Sequence, residues 1–165
     1  MKIKNWFLFI FVAVTSINFA QNNRIYQAER EKTHTLIHTK LKVDFNFEAK
    51  QLNGEAWVTA KPHFYATNTF VLDAKSMLIH EISLKGTALP YDYDDYRITV
   101  KLPRKYNKEE KFTIYIKYTA RPEKVKEKGS NAITSAKGLY FINADGVDKN
   151  KPTQIWTQGE TEGSS

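Results

Sequence analysis

The sequence predicts an all-β domain folded as an antiparallel β-sandwich. Three observations predict it. Segments of strand length recur with apolar and polar residues in alternation; no strongly amphipathic helical stretch is present; and aromatics make up 13% of the chain, mostly Tyr and Phe, which suit pleated surfaces. Sheets that are apolar on one side and have no helix to lie against bury that side most simply on a second sheet.

In chain order, residues 1–20 have the layout of a secretory signal peptide: Lys2 and Lys4 at a basic start, an unbroken apolar run over 6–14, and a more polar end at Ala20. The run is shorter than the ~20 residues that span a bilayer, so cleavage near Ala20 and export to the periplasm or medium are expected, with no stable membrane insertion. An uncleaved anchor is the alternative. Residues 21–35 form a lead-in segment whose 23–32 stretch is the one helical candidate, short and charged.

The sandwich is expected over 36–165. Residues 36–49 alternate, with Thr39, Leu41, Val43, Phe45 and Phe47 on one face and His38, Lys40, Lys42, Asp44, Asn46 and Glu48 on the other, as in a half-buried strand. Asn53-Gly54 predicts the hairpin turn that returns the chain into a strand over 56–61, ended by Pro62. Strands over 69–74 and 77–84 follow, the second closed by a tight reversal at Lys85-Gly86-Thr87. Segments 97–102 and 111–118 alternate cleanly, with a loop at 106–110 between them. Residues 121–131 are polar, mixed in charge and broken by Pro and Gly, an exposed loop; strands over 138–142 and 154–158 come last.

A formal charge of +7 falls to about +5 when the two leader lysines are subtracted (7 − 2), and the remainder is spread along the sequence. No basic cluster with interleaved aromatics and no nucleic-acid module is present, so the charge reads as solubility and no nucleic acid is expected. The chain contains no cysteine, which excludes disulfides, thiolate metal sites and a cysteine nucleophile.

Little in the sequence carries chemistry by itself. His34 and His38 have the i, i+4 spacing of a helical zinc pair but lack the intervening glutamate, and on a strand they stand ~13 Å apart, too far to share one ion. They read as surface histidines, as do His63 and His80. Asp92, Asp94 and Asp95 interleave with Tyr91, Tyr93 and Tyr96 without calcium-loop spacing, and read as a structural loop. There is no Gly-x-Ser-x-Gly elbow and no phosphate-binding loop. Composition and spacing thus give a binding or structural module.

The end of the chain adds to this. Trp156-Thr-Gln158-Gly159-Glu160-Thr-Glu-Gly163 resembles the Thr-Gln-x-Glu segment that ends the first domain of aminopeptidase N-like zinc aminopeptidases, and the strand order upstream is similar to that family's, over roughly 36–165. The resemblance implies a saddle-like β-sandwich packed on a catalytic domain of the same chain, and a peptide with a free amino terminus as substrate. Glu160 would receive the α-ammonium and Gln158 would line the pocket for the first side chain, since a carboxylate in a partly dry cleft pairs strongly with an ammonium. The family's zinc is held by His-Glu-x-x-His and a later Glu, and zinc-activated water cleaves the peptide bond. Neither those residues nor Gly-x-Met-Glu-Asn occurs in this sequence, so catalytic and metal residues are expected in a longer parent, with this chain a fragment ending inside a motif. The rival expectation is a stand-alone secreted β-sandwich that binds a protein or glycan through exposed aromatic strands.

Overall fold

The computed structural model describes residues 32–125 and 137–158. The expected signal peptide over 1–20, the lead-in stretch up to residue 31, the distal part of the 121–131 loop and Glu160 lie outside the described residues. Strands β1 (His34–Asn46), β2 (Gln51–Pro62), β3 (Thr67–Asp73), β4 (Met77–Leu84), β5 (Thr87–Ala88), β6 (Tyr91–Tyr93), β7 (Arg97–Tyr106), β8 (Phe112–Ala120), β9 (Leu139–Ile142) and β10 (Gln154–Thr157) follow one another, with one 3₁₀ turn at Pro122–Lys124. They form a five-stranded sheet in the order β1-β2-β8-β4-β5, a three-stranded sheet β3-β7-β6 and a ribbon β10-β9. Every pairing is antiparallel.

The two larger sheets share one core, as the alternation predicts. Val58, Ala60, Ile82, Ile114 and Ile116 come from the five-stranded sheet, and Phe70, Ile98, Val100 and Leu102 from the three-stranded one. Phe70, Val100, Ile114 and Ala60 are completely buried. The reversal at Lys85-Gly86 forms as expected: both residues have positive φ, 52° and 80°, which a two-residue hairpin turn requires.

Bulges decide which side chains face this core. In β1, Leu36 opposes Ala60 and His38 opposes Thr59, so Ile37 is the extra residue. Beyond the bulge, Thr39, Leu41, Val43 and Phe45 take the side of Ala56 and Val58; before it, His34 and Leu36 take that same side. A second bulge at His80 does the same for β4.

Two expectations about β1 and β2 are corrected. The apolar set of β1 faces the predicted side but is not half-buried: Leu41 is 57% exposed. β1 is an edge strand, and the three-stranded sheet is too narrow to cover it. An open apolar groove of about 230 Å³ results, with Leu41 and Val58 on one side and Leu72 of β3 on the other.

The β1–β2 turn is not at Asn53-Gly54 but at 47–50, where Asn46 Oδ1 accepts the Ala49 N–H at 2.8 Å and Lys50 takes a φ of 51°. Asn53 and Gly54 lie inside β2, opposite Asp44 and Val43. Gly54 is there because the ring of the neighbouring Tyr118 on β8 lies over it: a Cβ would sit 2.4 Å from Tyr118 Cζ. Gly54→Ala is therefore expected to lower stability by ~1–3 kcal/mol through displacement of that ring. The same change made in a Tyr118→Ala background should be nearly neutral, and urea unfolding of the four proteins measures the difference.

Candidate functional site

The candidate pocket segment stands on the β9–β10 ribbon. Trp156 pairs with Tyr140 and Thr157 with Leu139, and the ribbon closes with the Gln158 N–H donating to the Gly138 carbonyl at 2.9 Å. Gly138 has a φ of 70°, the left-handed conformation glycine takes without strain, and this turns the chain into β9 opposite Gln158. Gln158 is thus pinned through its backbone at the ribbon's end, with its side chain partly exposed. Glu160 lies outside the described residues.

Asn143 builds the connection between the two strands. Its Nδ2 donates to the Asp148 and Lys151 carbonyls at 2.9 and 2.7 Å, and its Oδ1 accepts the Asp148 N–H at 3.0 Å. On the inner side, Phe141 is buried edge-on against Phe47 and Phe45 of the β1 end, with ring centroids 5.5 and 6.4 Å away. Lys137 meets Glu123 at 2.6 Å. The ribbon is therefore anchored to the sandwich, and it presents Trp156, 60% exposed, beside Tyr140.

The histidines are not all surface residues. His34 is turned inward by the Ile37 bulge and lies edge-on to Phe70 and Phe112, with centroids at 5.0 and 6.2 Å. Its Nδ1 meets Thr33 Oγ1 at 2.9 Å, while Nε2 is buried without a well-formed hydrogen bond. His63 Nδ1 meets Thr35 Oγ1 at 2.8 Å. His80 Nε2 meets Thr119 Oγ1 at 2.9 Å, and that hydroxyl lies 2.9 Å from Asn53 Oδ1. Among the described residues no group of three His, Cys, Asp or Glu side chains could hold a metal ion.

Burial lowers the His34 pKa, against a smaller upward pull from the Thr69 backbone. The unfolded chain then binds a proton, near pH ~6.5, that the folded chain resists, so stability is full above that pH and falls as pH drops below it. The urea midpoint should fall between pH 7.5 and pH 5 in the parent protein, and by less in His34→Leu, whose side chain cannot titrate.

The three aspartates are separately engaged. Asp94 Oδ1 accepts the Tyr96 and Arg97 N–H groups at 2.9 and 2.6 Å, which holds its carboxyl below the usual range. Asp92 faces Lys101 at 3.5 Å, and Asp95 accepts from the Tyr93 hydroxyl at 3.3 Å. This is how a structural loop uses carboxylates: each closes a local turn or ion pair.

The surface also carries an aromatic and charged cluster built from several strands. On the outer face of the five-stranded sheet, Lys40 stands 5.1 Å over Trp57, which packs on Tyr115 at 5.2 Å. Glu55 takes bonds from Lys42 at 2.9 Å and from the Tyr115 hydroxyl at 3.0 Å, and these hold its carboxyl below the usual range. Reading across the paired strands, rather than along one, is what reveals the cluster.

The sandwich has the fold found in M1 zinc metallopeptidases. A two-domain M1 zinc metallopeptidase mutant bound to L-arginine superposes with a TM-score of 0.55 at 16% identity, over 71% of this chain and 28% of that one. An M1 zinc metallopeptidase mutant from Deinococcus radiodurans gives 0.52 at 16% identity, over 70% and 27%. A two-domain M1 mutant bound to L-tryptophan gives 0.50 at 18%, over 58% and 22%. The likeness is one of fold, and this chain spans under a third of the length of those enzymes. No protein-family model and no curated protein matches the sequence.

Proposed function

We propose that this chain is the amino-terminal domain of an exported zinc aminopeptidase, in which it contributes Gln158 and Glu160 to the pocket for a peptide's free amino terminus. The observation that carries the proposal is the anchored β9–β10 ribbon: on a sandwich of the M1 fold, it ends in Trp156-Thr-Gln158, immediately before Gly159-Glu160. A pocket lining needs such a rigid edge, because a recognition carboxylate acts only if its neighbours fix where it stands. Export is supported by the leader over 1–20. The partner is the catalytic domain of the same full-length chain, which supplies the His-Glu-x-x-His zinc site and the water-activating chemistry; this domain supplies orientation and selection of amino termini.

The nucleotide sequence downstream of the Ser165 codon tests the proposal. In-frame Gly-x-Met-Glu-Asn followed by His-Glu-x-x-His supports it; unrelated sequence after a stop codon overturns it. The second reading, a secreted sandwich that binds a protein or glycan, is favoured by the Trp57–Tyr115 and Tyr140–Trp156 ring pairs on the surface. Quenching of tryptophan emission by added oligosaccharide would select it.

A further inference from the structure

The β2–β3 corner carries Phe64 and Tyr65, 63% and 80% exposed. It is braced, not loose. The His63 N–H donates to the Thr33 carbonyl at 2.9 Å, its ring meets Thr35 Oγ1 at 2.8 Å, and Phe64 packs edge-on against it at 4.2 Å. Two large apolar rings are thus held out in water just beyond Pro62, which is itself fully buried. An exposed apolar pair on a fixed support marks an interaction surface.

Strand pairing gathers charge of one sign around this corner. Ala60 opposes Phe112, which puts Lys61 and Lys111 at this end of the five-stranded sheet, and Thr67 opposes Tyr106, which brings Lys105 and Lys108 alongside. Of the carboxylates at this end, Glu110 is held by Arg104 at 2.8 Å, leaving Glu109 against those lysines. The opposite end, with the β1–β2 turn and the Asp92–Asp95 loop, is mixed in charge: Asp44, Glu48, Asp94 and Asp95 stand there with Lys50, Lys75, Arg97 and Arg121. The aromatic corner therefore stands at the end of the sandwich where lysines outnumber carboxylates.

We propose that this corner docks on an anionic lipid surface, Phe64 and Tyr65 entering the headgroup layer while Lys61, Lys105, Lys108 and Lys111 meet lipid phosphates. Apolar insertion combined with a basic collar is the two-part signal that holds a peripheral domain on such a surface. A protein partner fits less well, because two rings on a convex tip offer at most ~500 Å², short of the ~800 Å² per side of a standard interface. A lipid surface needs no complementary shape. The inference is independent of the aminopeptidase reading.

The absence of cysteine makes the test local. Ala66→Cys, beside both rings, and Glu48→Cys, at the far end, each carry an environment-sensitive fluorophore. The chains are mixed with phosphatidylcholine vesicles with or without about 30 mol % phosphatidylglycerol. The Ala66 label is expected to brighten and shift to the blue on anionic vesicles only, the Glu48 label to stay unchanged, and roughly 0.5 M salt to reverse the effect. Charge reversal at Lys105, Lys108 and Lys111 should weaken partitioning by at least about a hundredfold. An unchanged Ala66 label, an equal response on neutral vesicles, or binding that survives charge reversal would each overturn the assignment, the first leaving the corner to a protein partner.

Discussion

Phe70→Ala is expected to destabilise the domain by about 3–5 kcal/mol, the largest effect of any single truncation in the core. Phe70 is completely buried, and its ring meets Phe112 at 5.3 Å and His34 at 5.0 Å. It therefore links β3 of one sheet to β8 and β1 of the other. Removing it leaves a cavity lined by groups that cannot collapse together, because each is fixed in a hydrogen-bonded strand. Domains of this size are stable by ~5–15 kcal/mol, so the loss is a large fraction of the total. The neighbouring Val71 points away from the core and is 37% exposed, so Val71→Ala should cost less than about 1 kcal/mol. Urea unfolding of the two variants separates the alternatives: similar small shifts would mean that the sheets do not pack through Phe70.

Most of the fold was legible because the strand signal is local. Alternation over 97–102 and 111–118, and the Lys85-Gly86 reversal, placed β7, β8 and the β4–β5 turn close to where they lie. Two features were not legible. Asn53-Gly54 is a strong turn signal, yet the glycine serves a close approach by Tyr118 from a strand more than 60 residues away, and only the tertiary structure shows that demand. The real turn used Asn46 and Lys50, a weaker local pattern. The inward turn of His34 was hidden for a different reason. A bulge at Ile37 reverses the parity of the strand, so alternation read from Leu41 onward assigns His34 to the wrong face.

The same distinction applies to the candidate sites. The terminal segment was visible as a string of residue types, but the support that gives Gln158 a fixed position depends on Gly138, twenty residues earlier, and on Phe141 docking against β1. The basic corner was invisible along the chain, where lysines are evenly scattered; antiparallel pairing brings residues 61, 105, 108 and 111 to one end. Charge that reads as solubility in one dimension becomes a patch in three.

In the full-length enzyme proposed above, Glu160→Gln should lower kcat/KM toward unblocked dipeptide substrates by roughly thirtyfold to a few thousandfold, equivalent to the ~2–5 kcal/mol lost when one partner of a desolvated charge pair is removed. The neutral amide keeps the shape of the carboxylate but loses the charge that an ammonium requires, so the loss measures charge recognition and not packing. Gln158→Ala should have a smaller effect that varies with the first side chain of the substrate, since Gln158 would line the pocket and not meet the ammonium. The decisive comparison is with an amino-blocked substrate: Glu160→Gln should reduce the enzyme's preference for free amino termini, whereas a general defect in folding would lower both rates together. Unfolding measurements at neutral pH check the second case, because a residue whose role is to meet substrate should leave the urea midpoint unchanged. If the preference for free termini survives in Glu160→Gln, recognition of the ammonium lies elsewhere in the proposed parent, and the pocket role assigned to Glu160 fails.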